Sequence, residues 1–157
     1  MAGVHWRVQL DKRGGEHWTG GLWAAEVTNG FEIKDLGFST TAERLDSGAR
    51  VSYREIQPGS LFRSYDVTAM TYQNWSHEAL DDAWSVDSWQ RAHLRGSFRL
   101  NTNWQFLNYW YVWLSGSYNP QSMSRSETRG GAMMVTPGST EFNVHVSSDS
   151  RKRLSFG

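Results

Sequence analysis

The sequence predicts an all-β chain, an antiparallel up-and-down meander of about seven strands that forms part of a transmembrane β-barrel. Apolar and polar residues alternate with period two in six of seven successive segments, the second being a glycine-weakened exception. Short and long connections alternate strictly along the chain. Aromatic residues gather near the ends of the segments, where amphipathic rings line membrane interfaces.

In the first segment Val4, Trp6, Val8 and Leu10 alternate with His5, Arg7, Gln9 and Asp11. "DKRGGE" supplies a tight turn, and "HWTGGLWAAEV" (His17 to Val27) is a glycine-weakened second strand. In the third, Leu45, Ser47, Ala49, Val51 and Tyr53 oppose Arg44, Asp46, Arg50, Ser52 and Arg54. The Pro-Gly pair of "QPGS" turns the chain into a fourth strand from about Leu61 to Trp75, with Tyr65, Val67 and Ala69 against Asp66, Thr68 and Asn74. The fifth sets Ala92, Leu94, Gly96, Phe98 and Leu100 against Arg91, His93, Arg95, Ser97 and Arg99, and "NTNW" then reads as a turn. "FLNYWYVWLSGSYNP" (Phe106 to Pro120) is the sixth, with Trp110, Val112, Leu114, Gly116 and Tyr118 on one face and Tyr109, Tyr111 and Trp113 on the other. Phe142, Val144 and Val146 alternate with Glu141, Asn143, His145 and Ser147 in the seventh.

Short connections (Lys12 to Glu16, Gln57 to Ser60, Asn101 to Trp104, Asp149 to Lys152) alternate with long ones (Thr28 to Thr41, Ser76 to Asp87, Asn119 to Thr140). In a meander every second connection lies at the same end, so tight turns share one rim and long loops the other, as in outer-membrane barrels. The alternation alone fits equally a soluble β-barrel or sandwich binding module with its apolar face inside. The aromatics, Trp18, Trp23, Tyr53, Tyr65, Trp75, Trp89, Trp104, Trp110 and Tyr118, favour the membrane reading, with Trp6, Val51, Val67, Leu94, Phe98, Val112, Leu114 and Val144 toward lipid.

The chain has 157 residues, 16 basic and 16 acidic side chains and no cysteine. That length bounds it to one domain. A zero net charge argues against a nucleic-acid partner, which calls for a basic surplus. The missing cysteines remove disulfides, thiolate metal sites and cysteine nucleophiles together. "MAGVHWRVQLDKRGG" reads as a strand and lacks the apolar run of a secretion signal, and "SSDSRKRLSFG" stops as a new alternation begins. Residues 1–157 are therefore expected to be a single barrel segment cut from a longer chain at both ends.

The segments "GFEIKDLGF" (Gly30 to Phe38), "NYWYVWLSGSYNP" (Asn108 to Pro120), "RGGAMM" (Arg129 to Met134) and "SSDSRK" (Ser147 to Lys152) occur in an order and spacing that resembles the C-terminal region of domain of unknown function 5916. That family comprises large outer-membrane proteins of Gram-negative bacteria. Many members carry an N-terminal module similar to family 9 carbohydrate-binding domains, and some are labelled membrane-associated hydrolases. The resemblance implies an outer-membrane location, lipid and the remainder of a longer barrel chain as partners, and carbohydrate handling by the parent protein. It would place Asp35 to Phe38 and Arg129 to Gly131 in loops of the long-loop rim, and it maps no active site onto this chain.

The strongest constellation is the basic row Arg91, His93, Arg95 and Arg99, joined by Arg44, Arg50 and Arg54. With Tyr109, Tyr111 and Trp113 it would line an anion-attracting or sugar-binding lumen, since guanidinium groups grip carboxylates and rings stack on sugars. The plainer alternative is a structural ladder in which Asp46, Asp66 and Glu141 balance the arginines. "HEALDD" clusters Glu78, Asp81 and Asp82 with no calcium-loop spacing, and the five histidines show no paired zinc spacing. No Gly-x-Ser-x-Gly elbow or phosphate-cradling glycine loop is present. A glycosidase pair drawn from Glu26, Asp46, Asp66 or Glu141 would need a defined separation that sequence does not supply. The segment is thus expected to be non-enzymatic, with no cofactor and no metal.

Overall fold

The computed structural model describes residues 3–28, 43–124 and 134–157. Its strands are β1 (His5–Lys12), β2 (Trp18–Val27), β3 (Arg44–Glu55), β4 (Phe62–Ser76), β5 (His93–Phe106), β6 (Tyr111–Asn119), β7 (Ser122–Ser124), β8 (Met134–Thr136) and β9 (Ser139–Ser147). Seven of them form one antiparallel sheet in the order β1-β2-β3-β4-β5-β6-β9, and β7 pairs with β8 in a separate ribbon. The short connections, 13–17, 56–61 and 107–110, lie at one end of the sheet, and the long ones, 28–43, 77–92 and 120–138, at the other. The sheet is open. Antiparallel alternation over seven strands leaves β1 and β9 pointing the same way, so these edges cannot close on each other as an antiparallel pair.

Register fixes which side chains share a face. One face carries Trp6, Val8 and Leu10 of β1, then Trp18, Leu22, Val51, Val67, Phe98, Leu100, Val112, Leu114, Phe142, Val144 and Val146 across the sheet. The other carries Arg7, Asp11, Asp46, Arg50, Asp66, Arg95, Arg99, Asn101, Asn103, Glu141 and His145. Almost nothing covers the apolar side. Among the described residues the buried apolar set is Ala25, Val27, Ala79 and Ala92, whereas Leu10 is 67% exposed, Phe142 69% and Leu100 50%. A shallow trough of about 880 Å³ crosses this face from Leu10 to Phe142, floored where Gly20, Ala49, Ala69 and Gly116 keep side chains short.

Rings border the apolar face at both ends. At the tight-turn end Trp18 meets Tyr53 edge-on (4.9 Å), Tyr53 stacks on Tyr65 (5.9 Å), Tyr65 on Trp104 (4.8 Å), and Phe62 joins Trp104 to Phe106 (4.9 Å each). At the long-loop end Trp6 donates its indole N–H to Glu26 (2.7 Å), and Trp75 meets Trp89 edge-on (5.2 Å). Tyr65 and Trp75 are ten residues apart on β4. At ~3.3 Å per residue the two rims stand ~33 Å apart along the strand, or ~25 Å in projection for a strand inclined by ~40°.

Several predicted details are corrected. Asn101 to Trp104 is not a turn, because β5 continues to Phe106 and the chain reverses at 107–110. The asparagines read as turn formers instead bond across the sheet, Asn101 accepting from Ser115 (2.7 Å) and Asn103 donating to Asp66 (2.9 Å). The turn itself uses Asn108, whose side chain accepts the Trp110 N–H (3.2 Å), and Tyr109 in the left-handed region (φ 65°). Trp110 therefore belongs to the turn and not to the lipid side of a strand. The predicted loop Ser76 to Asp87 contains a 3-10 turn (His77–Leu80), and a short helix, α1 (Val86–Ala92), takes Arg91 and Ala92 out of the predicted fifth strand. A bulge follows, in which Asn74 pairs with Arg95 but Trp75 with His93, so Leu94 opposes no residue and its predicted lipid-facing place is lost. Trp23, predicted for a rim, sits mid-strand on the polar face beneath Arg7 (4.5 Å) and against Gly48, where a β-carbon would stand 2.5 Å from the indole nitrogen. Asp35 to Phe38 and Arg129 to Gly131 lie outside the described residues.

Candidate functional site: the polar face and its tight-turn rim

The seven predicted ligand contacts separate into two groups. Arg95, Arg99, Tyr111 and Trp113 share the polar face of neighbouring strands β5 and β6. Arg91 sits on α1, His93 is turned by the bulge to the face of Trp75, and Tyr109 stands in the 107–110 turn. His93 is locked there and only 7% exposed. Its Nε2 lies 2.8 Å from Gln73 Oε1 and its Nδ1 3.1 Å from the Gln121 carbonyl. The ring ties β4, β5 and the chain leading into β7 together, which is a packing role.

Neutral pairs hold much of the polar face. Ser52 and Thr68 bond across β3 and β4 (2.9 Å), Ser115 donates to Asn101 (2.7 Å), and Tyr111 donates its hydroxyl to Asn103 (2.5 Å), which in turn donates to Asp66. Asp46 accepts from Arg44 (2.9 Å) and, more closely, from Asn74. The predicted ion-pair ladder thus exists at Arg44–Asp46, while Asp66 is held by an amide. Arg50, Arg54, Arg95 and Arg99 lie within 4.0 Å of no carboxylate among the described residues.

At the rim Tyr109 is gripped by two arginines. The Arg63 guanidinium donates to its hydroxyl (2.8 Å) and lies 4.8 Å from the ring, and Arg151 stacks 3.2 Å above the ring centre. Arg151 also donates through Nε (2.8 Å) and Nη2 (2.7 Å) to Asp149, and this paired hydrogen bond holds the Asp149 carboxyl well below the usual range, at about 2. The Arg151 amide also bonds Asp149 (3.1 Å), closing a turn in which Ser148 N–H reaches the Phe156 carbonyl (2.9 Å) and Phe156 N–H reaches Ser148 Oγ (2.8 Å). The sequence offered little sign of this cluster, because its residues come from three separated segments.

Glu78, Asp81 and Asp82 do not gather into a ligand set, and no three His, Asp or Glu side chains converge within metal-binding reach among the described residues. No helix is long and apolar enough to cross a membrane, a statement that does not bear on strands. Glu26 projects from the apolar face and Asp46, Asp66 and Glu141 from the polar one. No curated protein and no solved structure matches the chain. The family model described as "Domain of unknown function (DUF5916)" matches residues 1–157, the whole length of the chain, and the protein belongs to that family.

Proposed function

We propose that this chain forms a stretch of wall in an outer-membrane β-barrel of a Gram-negative bacterium, with its apolar face to lipid and its polar face to the lumen. The observation that carries the reading is an uncovered apolar face bounded at both ends by rings whose spacing matches the ~25 Å apolar band of such barrels. Exposed apolar patches of this extent are uncommon on soluble monomers. Sorting of short and long connections to opposite rims supports the same orientation, tight turns toward the periplasm. An antiparallel barrel containing this sheet needs an odd number of further strands, because β1 and β9 are parallel. Beyond β9 the chain reverses so that the Ser148 N–H reaches the Phe156 carbonyl (2.9 Å).

In this reading the segment carries no reaction of its own. Arg95, Arg99, Tyr111 and Trp113 line the lumen, and carbohydrate handling belongs to the parent protein. The trough across the apolar face favours a rival, a soluble barrel or sandwich that packs or binds apolar groups there. Reconstitution into vesicles made with brominated lipids tests the two. The membrane reading expects tryptophan fluorescence quenched by shallow bromines, because Trp18, Trp104, Trp6 and Trp75 stand at the two rims. Purification as a detergent-free monomer with a cooperative melt and no quenching would overturn it.

A further inference from the structure

The polar face carries four arginines, Arg50, Arg54, Arg95 and Arg99, that have no carboxylate within 4.0 Å among the described residues. Register places Asp11, Gly21, Arg50, Met70, Arg99, Ser117 and Glu141 in one row across the seven strands. Arg50 and Arg99 therefore flank Met70 with their backbones two strand spacings apart, ~10 Å. Glu141 stands the same ~10 Å from Arg99, and Asp11 the same distance from Arg50, with a small residue between. Neither carboxylate lies within 4.0 Å of these arginines, and Asp11 instead receives Gln9 (2.7 Å) and Arg13 (3.3 Å). Arg54 and Arg95, equally without a carboxylate, stand four residues along the same strands at opposite corners of the bay. The neighbouring row of the same face is Ser52, Thr68, Asn101 and Ser115, paired with one another (2.9 and 2.7 Å).

We propose that Arg50 and Arg99 form a binding bay for a multivalent oxyanion, a compact molecule bearing several phosphate or carboxylate groups. Two arginine side chains rooted ~10 Å apart can converge on one anionic group or hold two neighbouring ones, each through paired N–H donors. The uncharged Met70 between them brings no carboxylate to compete for the two guanidinium groups. Neutral pairs already hold this part of the sheet, so the two guanidinium groups are not needed to fix the wall. The bay requires only an accessible polar face and stands whether or not the opposite face meets lipid.

The test is calorimetric titration of the full chain, folded in detergent micelles, with inositol hexakisphosphate, citrate and uncharged inositol. Both anions should bind, with affinity falling as salt screens the site, and inositol should not. Whichever of the two binds more tightly reports whether phosphate or carboxylate is preferred. R50Q/R99Q should weaken binding about tenfold or more, as expected for losing two charge-assisted contacts, and R13Q, outside the bay, should leave it within about twofold. Far-UV circular dichroism checks that each variant keeps its strands, and the single variants R50Q and R99Q, each expected to lose part of the affinity, serve if the double variant does not fold. Absent binding by the folded wild type, or equal loss in R13Q and R50Q/R99Q, would overturn the bay. Binding by a chain that fails to enter vesicles would overturn the membrane reading and leave the bay standing.

Discussion

Placing arginine at Leu100 tests the orientation of the sheet. Leu100 is 50% exposed and pairs with Ala69 on one side and Gly116 on the other, four residues from the Tyr65 end of β4 and six from the Trp75 end. With ~3.3 Å per residue and ~40° of tilt it lies ~10 Å above the tight-turn ring, close to the middle of a ~25 Å band. An arginine near the midplane of a membrane barrel costs ~2–4 kcal/mol, roughly a 30- to 900-fold shift toward the unassembled state. The same change on a sheet face washed by water costs within ~0.5 kcal/mol. The assay is urea unfolding of vesicle-inserted protein, followed by heat-modifiable migration on gels. N143R, at nearly the same height on the polar face of β9, is the control and should insert as the wild type does. If L100R unfolds at the wild-type urea concentration, the apolar face does not meet lipid. A soluble protein that needs no detergent yet is unfolded by L100R would instead place that face in an internal core.

Y109A removes one hydrogen bond and two cation–π contacts, and should lower stability by ~1–3 kcal/mol in chemical denaturation, whereas Y109F should lose only the Arg63 hydrogen bond. Asp149, held at about 2 by Arg151, contributes stability that is fully present above the unfolded carboxylate range and is lost as pH falls through that value. The protection of the Ser148 and Phe156 amides, taken relative to their intrinsic exchange rates, should therefore fall between about pH 4 and pH 2, and D149N should abolish that loss. G48A would push a methyl group into the Trp23 indole, 2.5 Å from its nitrogen, and should cost ~1–3 kcal/mol by overpacking, read as a lowered unfolding midpoint.

Where period two runs unbroken the sequence was easy to read, since a sheet with unlike faces writes itself into alternate positions. Six of the seven strands of the main sheet were visible for that reason, and β2, with its Gly20-Gly21 pair, was legible only from the turn before it. What escaped notice breaks or hides the period. The run Ala92, Leu94, Gly96 and Phe98 looks like one face, yet Ala92 ends a helix and the bulge inserts Leu94, so only Gly96 and Phe98 keep it. His93 consequently sits with Trp75 and Gln73, on the side opposite Arg95. Asparagine misled in the other direction. Its turn preference is a local property, and at Asn101 and Asn103 cross-strand partners at 2.7 and 2.9 Å outweigh it. Three residues do not make a legible strand, which is why β7 and β8 were absorbed into a predicted loop.

The same distinction decides what the polar face is for. A wall held by ion pairs would use its arginines up, and removing one would loosen the sheet. Here Ser52–Thr68, Ser115–Asn101 and Tyr111–Asn103–Asp66 join β3 to β4, β4 to β5 and β5 to β6 through groups that carry at most one charge among them. Such pairs contribute ~0.5–1.5 kcal/mol each and change little with salt. The arginines of the central row are then additions to a wall that already stands. Salt should accordingly weaken anion binding at Arg50 and Arg99 long before it weakens the fold, and a chain whose stability and anion affinity fell together with ionic strength would show that the arginines serve the wall after all.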